Sequence, residues 1–167
     1  MIKFEVFSGT VTMINDYWIN GNEQLAGCIK LMSVEKEDET IVNFIVEPVT
    51  YFVRHEMIKV GDKVTGFYDG NAPVPLIYPP QYKAIVMAKN VPYYNVKADY
   101  FDKQLISSDG QLKLNIGPKT RKVLENGQAF TGNLANRYII VVYGVSTKSI
   151  PAQTTPYEIV VMCMSNK

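Results

Sequence analysis

The sequence predicts an all-β protein built as two halves on one plan, and three observations carry that expectation. Helical periodicity is nearly absent, while short alternating runs rich in β-branched residues and tyrosine recur along all 167 residues. Turn chemistry punctuates those runs, as at Asn20-Gly21-Asn22, Gly61-Asp62, Asp69-Gly70-Asn71 and Asn126-Gly127. Three blocks of the first half then recur, in the same order, in the second.

The first half reads in order as follows. Ile2 to Met13 alternates and forms a first strand, closed by turn residues at Asn15-Asp16. Cys28 to Val34 is the next strand, Glu35 to Glu39 a charged hairpin tip, and Thr40 to Val46 a strand stopped at Pro48. Tyr51 to Val53 follows, and Met57 to Val60 fits a short helix or an extended run. Val64 to Tyr68 is a strand. The irregular stretch "PVPLIYPPQY" (Pro73–Tyr82) precedes a last strand from Lys83 to Ala88.

The second half repeats the plan. "NFIVEPVT" (Asn43–Thr50) aligns with "KLNIGPKT" (Lys113–Thr120) at an offset of 70, which superposes Pro48 on Pro118 and Thr50 on Thr120. "VGDKVTGFYD" (Val60–Asp69) aligns with "ANRYIIVVYG" (Ala135–Gly144) at an offset of 75. At that same offset "YKAIVM" (Tyr82–Met87) meets "YEIVVM" (Tyr157–Met162), and the openings "IKFEVF" (Ile2–Phe7) and "VKADYF" (Val96–Phe101) match more loosely. An internal duplication accounts for this, with units 1–92 and 93–167 joined near Asn90-Val91-Pro92-Tyr93.

In the first half, "IKVGDKVTGFYD" resembles the OB-fold pattern, in which a lysine-flanked Gly-Asp turn leads into the fourth strand and an irregular loop joins strands four and five. The resemblance covers most of residues 1–90. It is weaker beyond, where Asn136-Arg137 stands in place of Gly61-Asp62. It implies two tandem OB-like five-stranded barrels or half-barrels, the second degenerate; a single β-sandwich spanning both halves is the alternative. The whole-chain pattern also resembles bacterial proteins of duplicated β architecture, which carry no activity to transfer.

Composition narrows function more than it defines it. The chain is 47% hydrophobic and 20% charged, with no apolar run approaching the ~20 residues of a membrane span. No signal-peptide pattern opens it, so a cytoplasmic location is expected, with the cell envelope or a spore surface as alternatives if a signal was removed. Residues 1–92 carry 8 basic and 11 acidic side chains (−3), and residues 93–167 carry 9 and 5 (+4). The acidic first half opposes a phosphate track, which weakens a single-stranded nucleic-acid reading. Opposite charge on the halves suits their docking or head-to-tail association of copies.

No catalytic constellation is legible. His55 is the only histidine, and one histidine with two distant cysteines builds no metal cage. No cofactor motif occurs, since neither GxxxxGK[ST] nor GxGxxG is present. Cys28 and Cys163 sit in apolar runs and read as buried thiols. The candidates are therefore binding residues: Tyr17 and Trp18 in "NDYWINGNEQ", Tyr78 and Tyr82 in the proline stretch, and Arg54 and Lys63 as cations beside aromatic rings. Prolines hold "PVPLIYPPQY" extended and make its tyrosines rigid contacts. The plainer expectation is that Leu76, Ile77 and Tyr78 cap the barrel end or fold over the neighbouring half. The counterpart loop "STKSIPAQTTP" (Ser146–Pro156) offers hydroxyls and amides to a sugar or peptide, or is simply the matching connection. The resulting expectation is a non-catalytic interaction module with a protein partner or self-association. The alternative is an OB-type ligand-binding protein for single-stranded nucleic acid or oligosaccharide.

Overall fold

A computed structural model of the chain describes residues 1–17, 21 and 23–164. Within them the chain is all-β, with only two single-turn 3-10 segments, Glu23–Leu25 and Val53–His55. It divides into two compact units, Met1–Asn90 and Val91–Lys167.

Unit 1 contains β1 (Phe4–Asp16), β2 (Lys30–Glu35), β3 (Ile41–Val46), β4 (Tyr51–Phe52), β5 (Lys63–Asp69), β6 (Gln81–Lys83) and β7 (Val86–Lys89). They form one seven-stranded sheet in the order β4-β7-β5-β1-β2-β3-β6. The long strand β1 serves two neighbours. Its first half pairs antiparallel with β5, from Phe4↔Asp69 to Thr10↔Lys63. Its second half pairs with β2, from Thr10↔Glu35 to Asp16↔Lys30, with a bulge between Val11 and Met13. Strands β6 and β7 are two residues apart yet lie on different partners, β6 parallel to β3 and β7 antiparallel to β5. One stretch of chain thus ties both sides of the sheet. The inward residues Phe7, Val11, Met32, Val34, Phe44, Val64 and Met87 make the core of this unit. Each large apolar side chain so buried contributes about 1.5–3 kcal/mol.

Unit 2 contains β8 (Asn95–Phe101), β9 (Leu112–Leu114), β10 (Arg121–Leu124), β11 (Arg137–Tyr143), β12 (Ala152–Thr154) and β13 (Glu158–Val161). A four-stranded sheet runs β10-β13-β11-β8, and β9 and β12 form a parallel pair. Its own core gathers Phe101, Leu112, Leu114, Ile139, Val141, Ile159 and Val161.

The two units share a pairing scheme. The β1–β5 and β8–β11 pairs are antiparallel, as are β5–β7 and β11–β13. The β4–β7 and β10–β13 pairs are parallel, as are β3–β6 and β9–β12. One hydroxyl fixes the same corner in each. Thr50 Oγ1 accepts from the Glu47 N–H at 3.0 Å and donates to the Ala84 carbonyl at 2.8 Å. Thr120 Oγ1 accepts from the Gly117 N–H at 3.2 Å and donates to the Pro156 carbonyl at 2.7 Å.

Several expectations are corrected here. The chain does not form two tandem five-stranded OB-like barrels. Unit 1 is a seven-stranded sheet, because Tyr51-Phe52 adds a strand beside Val86-Met87 and the final strand breaks at Ala84-Ile85. Unit 2 splits into two sheets, because only the isolated bridges Phe101↔Ser107 and Ile106↔Lys113 stand where unit 1 has β2. Asn15 and Asp16 are not a turn but the end of β1, held opposite Leu31 and Lys30 and joined by a Lys30–Asp16 ion pair. Of the two alternatives for Met57 to Val60, the helix is not formed; the segment pairs with no strand and enters a turn in which Asp62 Oδ2 accepts from the Lys59 N–H at 2.9 Å.

The repeat alignment also shifts. Ile85 N–H donates to the Phe67 carbonyl, and Tyr157 N–H donates to the Val142 carbonyl. Phe67 and Val142 keep the offset of 75, but Ile85 and Tyr157 are 72 apart (157 less 85). The Tyr82–Tyr157 identity is therefore a coincidence of spelling, and Thr154 stands where Tyr82 does: Phe44 faces Tyr82, and Leu114 faces Thr154.

Candidate functional site

The irregular stretch of unit 1 connects β5 to β6. Its entry is fastened by Asp69, whose Oδ1 accepts from the Lys3 N–H at 3.1 Å and the Asn71 N–H at 2.9 Å. Beyond that the chain is carried by prolines, which fix φ and have no N–H to satisfy. Leu76 at the tip is fully exposed, Tyr78 is 77% exposed and Ile77 50%. Within unit 1 these three side chains do not pack as a cap on the sheet; the proline-fixed backbone leaves them exposed.

The matching loop of unit 2 connects β11 to β12 and exposes Val145 (91%) and Ile150 (85%). Some of its polar side chains are committed within the loop. Thr147 Oγ1 lies 2.6 Å from Ser149 Oγ and accepts from the Gln153 N–H at 2.9 Å. Ser149 Oγ donates to the Pro151 carbonyl, and Thr154 Oγ1 donates to the Val145 carbonyl. This loop offers Val145 and Ile150 outward, together with the exposed Ser146 and Lys148. Both loops hold a cis Xaa-Pro bond, Tyr78–Pro79 and Ile150–Pro151.

The other candidates fall on separate elements. Trp18 lies outside the described residues. Tyr17, half-buried just past β1, donates its N–H to the Ile29 carbonyl at 2.8 Å. Tyr82 on β6 stacks on Tyr68 of β5 with centroids 4.0 Å apart and planes within 3°. That contact takes up one face of the Tyr82 ring. Burial, and then the neighbouring Tyr82, push the Tyr68 hydroxyl above its ordinary pKa. Arg54 is exposed in the Val53–His55 turn, where Arg54 and His55 both have left-handed backbones, with φ of 60° and 52°. The His55 ring meets Tyr51 edge-on at 5.5 Å. Lys63 heads β5 and borders a groove of about 460 Å³ with Ser8, Thr10, Glu35, Glu37 and Asp38.

That groove was not read from the sequence, since residues 8–10 and 35–38 are far apart in the chain. The available signal was Gly9 inside a strand pattern. A Cβ at Gly9 would run into the Glu35 backbone, so glycine lets β2 approach β1 closely where the groove opens.

The thiols are corrected as well. Cys28 and Cys163 are both free and exposed. Cys28 lies in the turn before β2, where its Sγ–H donates to the Gln24 carbonyl, and Cys163 falls past the end of β13. Among the described residues no three His, Cys, Asp or Glu side chains gather to hold a metal ion. None of the described helical segments is long and apolar enough to cross a membrane. Compared with known proteins, the chain matches no family model, no curated sequence and no solved structure.

Proposed function

We propose that the chain is a non-catalytic protein-interaction module that engages partners through two equivalent loops, one from each unit. The observation that carries this is the exposure of Leu76, Ile77 and Tyr78 in unit 1 and of Val145 and Ile150 in unit 2, at corresponding loops of the two units. Bulky apolar side chains in water are unfavourable by themselves, and placed on stiff loops they lose little entropy when a partner covers them. Tyrosine and branched aliphatic tips are suited to that role.

We read the two units as products of one duplication. The shared pairing scheme and the paired Thr50 and Thr120 corners support this, with offsets of 70 and 75 in the first two blocks and 72 in the third. Duplication would give one partner two similar loops, or two partners one each. The exposed free thiols support a reducing compartment, which fits a cytoplasmic role.

Photo-crosslinking residues placed singly at Leu76 and Ile150, in cells making the full chain, test the reading. A discrete crosslinked species from each position, weakened by Tyr78→Ser at the first, is expected. No adduct at either position, with Val49 as an exposed control, would remove the loops as docking tips.

A further inference from the structure

Among the described strands, none pairs with the outer edge of β1 at Val6 and Ser8. Val11 N–H donates to the Asp62 carbonyl, and the Val11 and Lys3 carbonyls accept from Gly61 and Gly70, all on the β5 side. The register with β5 is unbroken from Phe4 to Thr10. In an antiparallel ladder successive residues face opposite edges, so the odd-numbered residues of this stretch serve β5 and the even-numbered ones face away. Val6 and Ser8 therefore direct their N–H and C=O groups to the other edge. There β2 pairs only as far as Thr10↔Glu35 and then turns off into the Lys36–Thr40 tip. Val6 is 56% exposed and Ser8 is exposed, so the edge is accessible.

Where β2 leaves β1 the 460 Å³ groove opens over Ser8, Gly9 and Thr10, reaching Lys63 and Asn90 on the β5 side. Its walls carry the carboxylates of Glu35, Glu37 and Asp38 against the ammoniums of Lys36 and Lys63. Lys36 is engaged, 4.7 Å over the Phe7 ring. The Thr40 hydroxyl, and then its backbone N–H, hold the Asp38 carboxyl below its ordinary pKa, so it stays anionic.

We propose that an extended peptide segment of a partner protein adds as a strand to β1 at Val6 and Ser8, with a lysine or arginine of that segment seated in the groove. Main-chain hydrogen bonds supply the affinity in such strand addition, and the pocket beside the edge supplies the choice of side chain. Unpaired strand edges are otherwise a liability, commonly blunted by proline, bulges or inward charge. Here the bulge lies further along, at Val11–Met13, and leaves Val6 and Ser8 open. The proposal rests on the reading of the chain as a protein-binding module but uses a surface distinct from the loops.

The test is amide hydrogen exchange by NMR on the full chain, alone and with capped heptapeptides alternating valine with lysine or valine with glutamate. In dilute free protein, Val6 and Ser8 should exchange fast while Phe7 and Gly9 exchange slowly. The valine–lysine peptide should slow Val6 and Ser8 by roughly tenfold or more. That protection should fall with added salt, and the glutamate peptide should give little. Glu37→Lys should remove the preference for lysine. Slow exchange of Val6 and Ser8 in the dilute free protein, no protection by the lysine peptide, or equal protection by both peptides would overturn the proposal. So would protection that grows with protein concentration alone, which would assign the edge to a second copy. A Leu76→Ser, Tyr78→Ser double variant should keep the peptide effect, so failure at this edge and failure at the loops are read separately.

Discussion

Phe44 of unit 1 and Leu114 of unit 2 occupy the same place in their sheets, 70 residues apart. Each lies on the strand that pairs in parallel with the unit's penultimate strand. Across from Phe44 is Gly66, where an added Cβ would run into the phenyl ring. The residue equivalent to Gly66, 75 positions on, is Val141, fully buried in the same core as Leu114. Unit 1 thus joins a large ring to a missing side chain, and unit 2 joins two medium aliphatics. The difference teaches that the pairing scheme is held by backbone ties and the threonine corners, while side-chain volume is free to move between facing positions as long as the total fills the space.

The sharpest way to break the comparison is to move volume on one side only. Phe44→Ala should destabilise unit 1 by about 3–5 kcal/mol, read from the urea midpoint by circular dichroism. Gly66→Val alone should cost ~1–3 kcal/mol or more through overpacking. The pair Phe44→Leu with Gly66→Val imports the unit 2 solution. It should recover part of that loss, with a coupling of about 0.5–3 kcal/mol; strictly additive costs would mean the two positions do not share one space.

The threonine corners come next in size. Thr50→Val and Thr120→Val each leave a buried carbonyl and an amide without their partner, at an expected cost of about 1–3 kcal/mol apiece. Similar values would sharpen the equivalence of the corners. A large cost in one unit and none in the other would break it.

Two carboxylates of unit 2 distinguish it by pH. Burial would raise the Asp109 carboxyl, but hydrogen bonds from Lys97 at 2.5 Å, from Ser107 and from the Gln111 N–H outweigh it and hold it below its ordinary value of 3.8. Its contribution is present above that value and is lost as pH falls below it. Thermal melts of Asp109→Asn should therefore lie below wild type near neutrality and converge with it in strong acid. Glu125 has the opposite sign, because burial raises its carboxyl above 4.5. Its ionisation weakens the folded state as pH rises through that range, so Glu125→Gln should raise the melting midpoint slightly at pH 7 and not in acid. At the corresponding position unit 1 has His55 (125 less 70), so the two units differ in charge at this end.

Strand existence was legible because alternation is a local property. Val64–Tyr68, Thr40–Val46 and the apolar run after Arg137 declare themselves without reference to a partner. Turn residues misled where cross-strand pairing outweighed them: Asn15 and Asp16 stay extended because β2 and Lys30 hold them. The cysteines misled because apolar neighbours say nothing about whether a strand has yet begun, as at Cys28, or has already ended, as at Cys163. The third aligned block differs by three residues from the correspondence in the structure, because the identity of Tyr82 with Tyr157 carries no information on register, which the hydrogen bonds to Phe67 and Val142 set. The loop tips were visible as candidates, but their exposure was not. The groove was invisible, since it exists only where β2 parts from β1.

In each unit the last strand made is an interior one. β7 lies between β4 and β5, and β13 lies between β10 and β11. On a ribosome, β4 would wait without a neighbour until the segment through Lys89 has emerged, and β10 until Val161 has. The β1-β2-β3 ribbon can order locally, whereas completion of each sheet is a later, non-local event of the kind that folds slowly. A nascent chain of this design would pair β1, β2 and β3 early and leave β4, and later β10, as the strands that wait exposed, the kind of unpaired segment that chaperones shield.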